Sequence, residues 1–240
     1  MTQFWLWIGV ISMTVAAIFF GIGAAKGKNE SWRILFTLNF FITAIAAGLY
    51  LAMAFSQGYA VFGERQVYWI RYFTWFLTTP LLLLVLTYLG RTRLSTILGL
   101  IGANGYMLVT GFIATVSPIP LNFVWYLVSC GAFAGILYLL LKPYRNHQAV
   151  SKSPGAVGRK VFKKLLTVHV SLWSLYPLVW ILGDTGFGLI SDDFEAMFYT
   201  ILDIAAKVGF GFLSLNSLTK LESNGMSFYH PPSEEYIQRA

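Results

Sequence analysis

Two groups that can do chemistry stand four residues apart in one apolar stretch. The run Phe198–Leu215, FYTILDIAAKVGFGFLSL, holds a single carboxylate, Asp203, and a single amine, Lys207. At helical spacing the two share a face, one turn from each other. Taking an ion out of water costs several kcal/mol unless it is well paired. A pair at this depth is therefore either a salt bridge that fixes helix packing or a working site. A lysine in an apolar pocket is a usable nucleophile, able to form a Schiff base with an aldehyde. A bulky apolar aldehyde would need a slot with aromatic walls. The other deep charge is Arg71, and on its stretch Trp75, Thr74, Thr78 and Thr79 recur at spacings of three or four, one stripe of a helix. Trp173, Tyr176 and Trp180 form a second stripe, and Tyr50 adds a further aromatic. Aromatic stripes serve as plain core or as the wall of a ligand slot; two of them beside an intramembrane lysine favour the slot.

These residues must be positioned by membrane helices. Of the 240 residues 57% are hydrophobic and 11% charged, against about 25% charged in soluble domains, so the main solvent is hydrocarbon. Stretches close to the roughly 20 apolar residues of a membrane span occur at Phe4–Ala25, Ile34–Phe55, Val67–Leu89, Leu94–Val116, Leu121–Leu141, Phe162–Leu182 and Phe194–Leu218. Pro80 and Pro177 lie inside two of them, which a bundle tolerates because neighbouring helices re-satisfy the freed backbone groups. The expected fold is an all-α membrane protein, a seven-transmembrane-helix bundle over residues 1–220 with a polar cytoplasmic tail at 221–240.

Charge placement orients the bundle. Lys26, Lys28 and Arg33 follow the first span, Arg91 and Arg93 the third, and Lys142, Arg145, Lys152, Arg159, Lys160, Lys163 and Lys164 the fifth. The opposite loops carry Glu64, Asp184, Asp192, Asp193 and Glu195, with Arg65 the only base. The basic side is expected to be cytoplasmic, which puts the N-terminus outside and the protein in the cell membrane as a multi-pass component. The net charge of +7 reflects that placement, and a nucleic-acid partner is not expected. The apolar run that begins at Phe4 has no basic segment before it, so a cleavable signal peptide is not indicated. The lone Cys130 and the scattered His147, His169 and His230 show no metal-ligand spacing, and no enzyme chemistry is expected. His169, near the cytoplasmic start of the sixth span, reads as an interfacial or hydrogen-bonded histidine; Asn39 and Asn104 read as helix–helix hydrogen bonders.

The run LDIAAKVGFGF resembles the retinal-binding helix of the microbial rhodopsins, WIRYFTWFLTTPLLLL their third helix and WSLYPLVW their sixth. The likeness runs in order from Trp5 to Leu218 and is greatest toward the cyanobacterial halorhodopsin-type light-driven anion pumps. It implies that Lys207 holds all-trans retinal as a protonated Schiff base, with Asp203 as its remaining carboxylate counterion, hydrogen-bonded by Tyr50 and Tyr176. Trp75 and Trp173 would sandwich the polyene. Thr79, Leu82, Met107, Gly111, Ser129 and Cys130 would line the pocket, as would Phe133, Tyr176, Pro177 and Trp180. Arg71 would lie just extracellular of the Schiff base, and the family suggests a homotrimer.

In the family's outward proton pumps an acid stands where this chain has Thr74, and a second where it has Val85. Neither residue titrates in a useful range, so that relay is absent at both ends. Counting Lys207 and Arg71 as +1 each and Asp203 as −1 leaves about one uncompensated positive charge, worth roughly 4 kcal/mol at 4 Å and a dielectric of about 20. The expected cargo is therefore a small inorganic anion, chloride in the first instance, held by Thr74, Thr78, Arg71 and Trp75 and carried inward. Thr78 stands where the anion pumps usually have Ser, and Val85 where cyanobacterial relatives usually have Asp. A photosensory rhodopsin without net transport, a light-gated anion channel and a protein whose Lys207 merely pairs with Asp203 are the alternatives.

Overall fold

The structure, a computed structural model, describes residues 1–62, 65–146 and 156–226. The helices α1 (Thr2–Lys26), α2 (Glu30–Ala54), α3 (Trp69–Leu89), α4 (Leu94–Val116), α5 (Leu121–Asn146) and α6 (Ala156–Leu182) follow in order. The last span is one rod in three parts: α7 (Asp192–Asp203), a π-helical turn (Ile204–Gly209) and α8 (Phe210–Glu222). All seven rods are long and apolar enough to cross a membrane. Glu64, His147, Lys152, His230 and the tail from 227 onward lie outside the described residues.

The helix ends follow local chemistry. At the start of α2 the Asn29 side chain accepts a hydrogen bond from the Trp32 N–H at 3.1 Å, satisfying one of the donors a helix start leaves free. Asp192, Asp193 and Glu195 occupy the first turn of α7, where carboxylates complement the helix dipole. The sixth helix starts at Ala156 rather than near Phe162, because VGRK can continue a helix beyond the apolar stretch that marks the span. Between α2 and α3, where turn chemistry alone was legible, β1 (Ala60–Phe62) pairs antiparallel with β2 (Arg65–Val67). Strands of three residues are too short to show a period-2 pattern. Gly58 leads into this hairpin with φ +72° and accepts the Ile70 N–H at 3.1 Å, a left-handed backbone that glycine adopts without strain.

The bundle is apolar outside as well as inside. Phe4, Ile11, Val15, Ile18 and Ile22 of α1 point outward and are all more than half exposed, as expected when hydrocarbon is the solvent. The main core, toward the lysine-rich end, packs Phe20, Leu35, Leu82, Leu86, Leu165 and Phe210. A smaller group at the N-terminal end holds Leu6, Tyr50, Met53 and Ile70. Asn39 Nδ2 donates to Ser214 Oγ at 3.1 Å, tying α2 to α8, the helix–helix role expected of it. The core therefore leaves its space for a site midway along α3, α6 and the last span.

Candidate functional site

Lys207 lies inside the π-helical turn and Asp203 is the last residue of α7. A π turn widens the helix by one residue and is frequent at functional positions. Lys207 Nζ donates to Asp203 Oδ1, and both residues are fully buried. The carboxylate also accepts Tyr50 Oη–H at 2.9 Å, Tyr176 Oη–H at 2.7 Å and Trp75 Nε1–H at 3.3 Å. Four donors from α2, α3, α6 and the last span thus converge on one anion, which keeps a buried charge affordable only because its lone pairs are filled. The approach of Tyr50 depends on Gly9, where an added Cβ would fall within the Tyr50 ring.

Beside Lys207 lies a cavity with about 810 Å³ of empty space, counting the space open to its surroundings. Every residue expected to line a retinal slot borders it: Trp75, Thr79, Leu82 and Met107, then Gly111, Ser129, Cys130 and Phe133, then Trp173, Tyr176, Pro177 and Trp180. Trp75 packs in the group with Leu108, Tyr199 and Leu202, and Trp173 in the main core, so the two indoles come from different packing layers. The walls are overwhelmingly apolar, and Lys207 supplies the only amine. That chemistry fits a long apolar aldehyde tethered at one end.

Sequence reasoning missed Tyr72, Leu108, Tyr126 and Tyr199, which also border the cavity. Tyr199 precedes Asp203 by four residues, so its place on the same helix face was legible. Tyr126 stacks on Trp180 with centroids 4.7 Å apart, a contact across two helices that spacing does not reveal. Thr115 was also missed. Its Oγ1 accepts Trp180 Nε1–H at 2.8 Å and lies 2.5 Å from Tyr72 Oη. Thr115→Val leaves a buried indole N–H and a phenol short of a partner, so melting of the purified protein should fall by the equivalent of about 1–3 kcal/mol; Thr115→Ser should not shift it.

Two parts of the expected anion site are arranged differently. Thr74, Thr78 and Thr79 are buried, but their hydroxyls donate to the backbone carbonyls of Ile70, Thr74 and Trp75, at 3.0, 2.8 and 2.7 Å. Thr74 and Thr78 thus offer lone pairs rather than protons to the interior, because a threonine in a helix finds the carbonyl four residues back. The charge count also changes. Glu195, read from the sequence as a loop carboxylate, reaches Arg71 Nη1 with Oε1 at 3.2 Å. Arg71 further lies over the Tyr199 ring at 4.6 Å. Two cations therefore meet two carboxylates, and the uncompensated positive charge is absent from this arrangement.

Arg71 and Glu195 line a second, more polar cavity that includes Trp75, Tyr199, Asp184 and Asp192. Arg71 Nε is buried there without a hydrogen-bond partner among the described residues. On the other side of Lys207, His169 is 2% exposed rather than interfacial, its ring 4.3 Å from Trp173 and 5.3 Å from Phe210. Asn104 accepts the Thr79 hydroxyl at 3.0 Å, a contact between α3 and α4.

Comparison with known proteins matches this architecture. The family model for bacteriorhodopsin-like proteins matches residues 1–221. A bacteriorhodopsin from Haloterrigena sp. (strain arg-4) is 38% identical over 91% of this chain and 88% of its own. Archaerhodopsin-2 from Halobacterium sp. (strain aus-2) is 36% identical over 89% of this chain and 83% of its own. Among solved structures, the cyanorhodopsin of Calothrix sp. NIES-2098 is 40% identical with a TM-score of 0.85, covering 92% of this chain and 96% of that one. None of these three carries a halorhodopsin name, and they do not show the finer likeness to anion pumps. Matched from end to end of its helical bundle, with one buried lysine beside an aromatic cavity, this chain belongs to the bacteriorhodopsin-like family of microbial rhodopsins, multi-pass proteins of the cell membrane.

Proposed function

We propose that this chain is a light-driven pump that moves a small anion, chloride in the first instance, from outside to cytoplasm. The N-terminal end of the bundle is then extracellular and the lysine-rich end cytoplasmic, and the working unit is a homotrimer. The observation that carries the reading is the buried stripe of α3 that begins at Arg71. Thr74 is buried there where a proton relay needs an acid, with Thr78 buried one turn further on, and Asp203 is the only carboxylate in contact with Lys207 among the described residues. Val85, also buried, cannot return a proton from the other side.

Retinal, bound through Lys207, supplies light absorption and a change of shape. The residues of this chain do the rest. Asp203, filled by Tyr50, Tyr176 and Trp75, holds the positive charge at Lys207 in a fixed direction. Arg71, which lines the polar cavity and whose buried Nε has no hydrogen-bond partner among the described residues, is the donor best placed to receive an anion. Glu195 is the built-in competitor for that role, since its carboxylate already occupies one edge of the guanidinium. Entry of an anion requires Glu195 to give way, by turning toward the cavity or by taking up a proton. The threonine hydroxyls can join once they rotate off their backbone carbonyls.

A second reading, photosensing without net transport, draws on the closed charge balance of Lys207 with Asp203 and Arg71 with Glu195. One experiment separates the two. Cells expressing the protein with all-trans retinal are illuminated in unbuffered chloride, with and without a protonophore. Inward anion pumping alkalinises the medium passively, and the protonophore enlarges the effect. No pH change in chloride, bromide, nitrate or sulfate overturns the pump and leaves the photosensor.

A further inference from the structure

We infer that the groove between α6 and α8 at the lysine-rich end binds the phosphate-bearing headgroup of an anionic membrane lipid. The groove is a cavity of about 1290 Å³, counting the space open to the surface, distant from the site around Lys207 and sharing no residue with it. Lys160, Lys163 and Lys164 line it from α6 and Lys220 from α8. On each helix the lining residues recur at three and four, as one continuous face. No carboxylate lines it among the described residues. The nearest acid on α8, Glu222, is turned to α2, where it accepts from Asn29 at 3.0 Å and Trp32 Nε1 at 2.8 Å. None of the four lysines has an ion-pair partner among the described residues.

Four ammonium groups with no ion-pair partner among the described residues are a concentration of like charge that recruits an anion. The shape of the groove says which kind. Past Lys164 and Lys220 its walls continue through Val168 and Leu213, on helices that run on into the hydrocarbon layer. Asn216 stands at the border and can donate a hydrogen bond to an ester or glycerol oxygen. Charge at headgroup height above an apolar channel matches a lipid with an anionic head and an acyl chain, and basic pockets between membrane helices bind such heads. A soluble phosphate would use the lysines and leave the channel uncovered.

The test uses the purified full-length protein in detergent, with native mass spectrometry as the readout. Dioleoyl phosphatidylglycerol should form a stoichiometric adduct at least tenfold more tightly than dioleoyl phosphatidylcholine. The variant Lys160→Gln/Lys164→Gln/Lys220→Gln should weaken that adduct roughly a hundredfold, at about fivefold per lysine near a headgroup. These side chains are exposed, and an unchanged melting curve shows that the fold is kept. The control variant Lys26→Gln/Lys28→Gln removes charge from the same end of the bundle outside the groove and should leave the adduct intact. Equal loss in both variants, equal binding of the two lipids, or full displacement by millimolar inorganic phosphate would each overturn the lipid site. The last result would reassign the groove to a soluble anion.

Discussion

A Lys207→Ala variant, expressed in the presence of all-trans retinal, will purify colourless. Among the described residues Lys207 is the only amine that borders the aromatic cavity, and Lys160, Lys163, Lys164 and Lys220 line a separate groove. No other side chain can form the Schiff base there. The same change strips Asp203 of its charge partner in a fully buried position, and breaking a buried ion pair costs about 3–5 kcal/mol. Loss of colour through misfolding must therefore be separated from loss of the attachment point. The double variant Lys207→Ala/Asp203→Asn removes the orphaned charge and should recover most of the melting temperature while remaining colourless. A visible band of normal intensity in either variant would sink the assignment of Lys207.

Glu195→Gln is expected to raise halide affinity about tenfold, read as the chloride concentration at which the visible band shifts. In the present arrangement Glu195 neutralises Arg71 at 3.2 Å, so an added chloride would make the interior net negative. Replacing the carboxylate by an amide restores the single excess positive charge that makes an anion favourable. At 4 Å and a dielectric of about 20 a unit pair is worth roughly 4 kcal/mol. The Glu195 side chain is 18% exposed and borders a polar cavity, so screening cuts this to about 1–2 kcal/mol, or roughly tenfold in binding. Arg71→Gln should act in the opposite sense and abolish the chloride-dependent shift. An affinity that neither change moves would place the anion elsewhere, or nowhere.

Both predictions turn on residues of different legibility. Lys207 and Asp203 announced themselves, because two ions in an apolar run have few reasons to exist. The face of α3 was equally plain from its three- and four-residue spacings, and with it the absence of an acid at Thr74 and Val85. Glu195 was not legible as a partner of Arg71. Its place in the sequence, among Asp184, Asp192 and Asp193, marks only an acidic end of the chain's last span. That its side chain turns inward follows from the first turn of α7 lying over Arg71, a matter of helix rotation that composition does not report.

The hydroxyls teach a similar lesson. Thr74 and Thr78 were correctly placed on the interior stripe, yet spacing cannot tell whether an Oγ–H points to a ligand or to its own helix. The carbonyl four residues back is always within reach, and in this structure it is taken. His169 likewise read as interfacial or hydrogen-bonded by its position along the sixth span, and the packing of α6 against α8 rules out the interfacial alternative by burying it on Trp173 and Phe210.

By itself the sequence determined the quantities that depend on local chemistry: seven spans, their approximate ends, the buried lysine and its carboxylate, and the aromatic stripes. These follow from transfer free energy and helical periodicity, which act residue by residue. Only the tertiary structure decided which groups neutralise one another: Glu195 against Arg71, four donors on Asp203, and four lysines of α6 and α8 that share a groove with no ion-pair partner among the described residues. Coulomb energy depends on distance between helices, and that distance is set by packing rather than by any spacing along the chain.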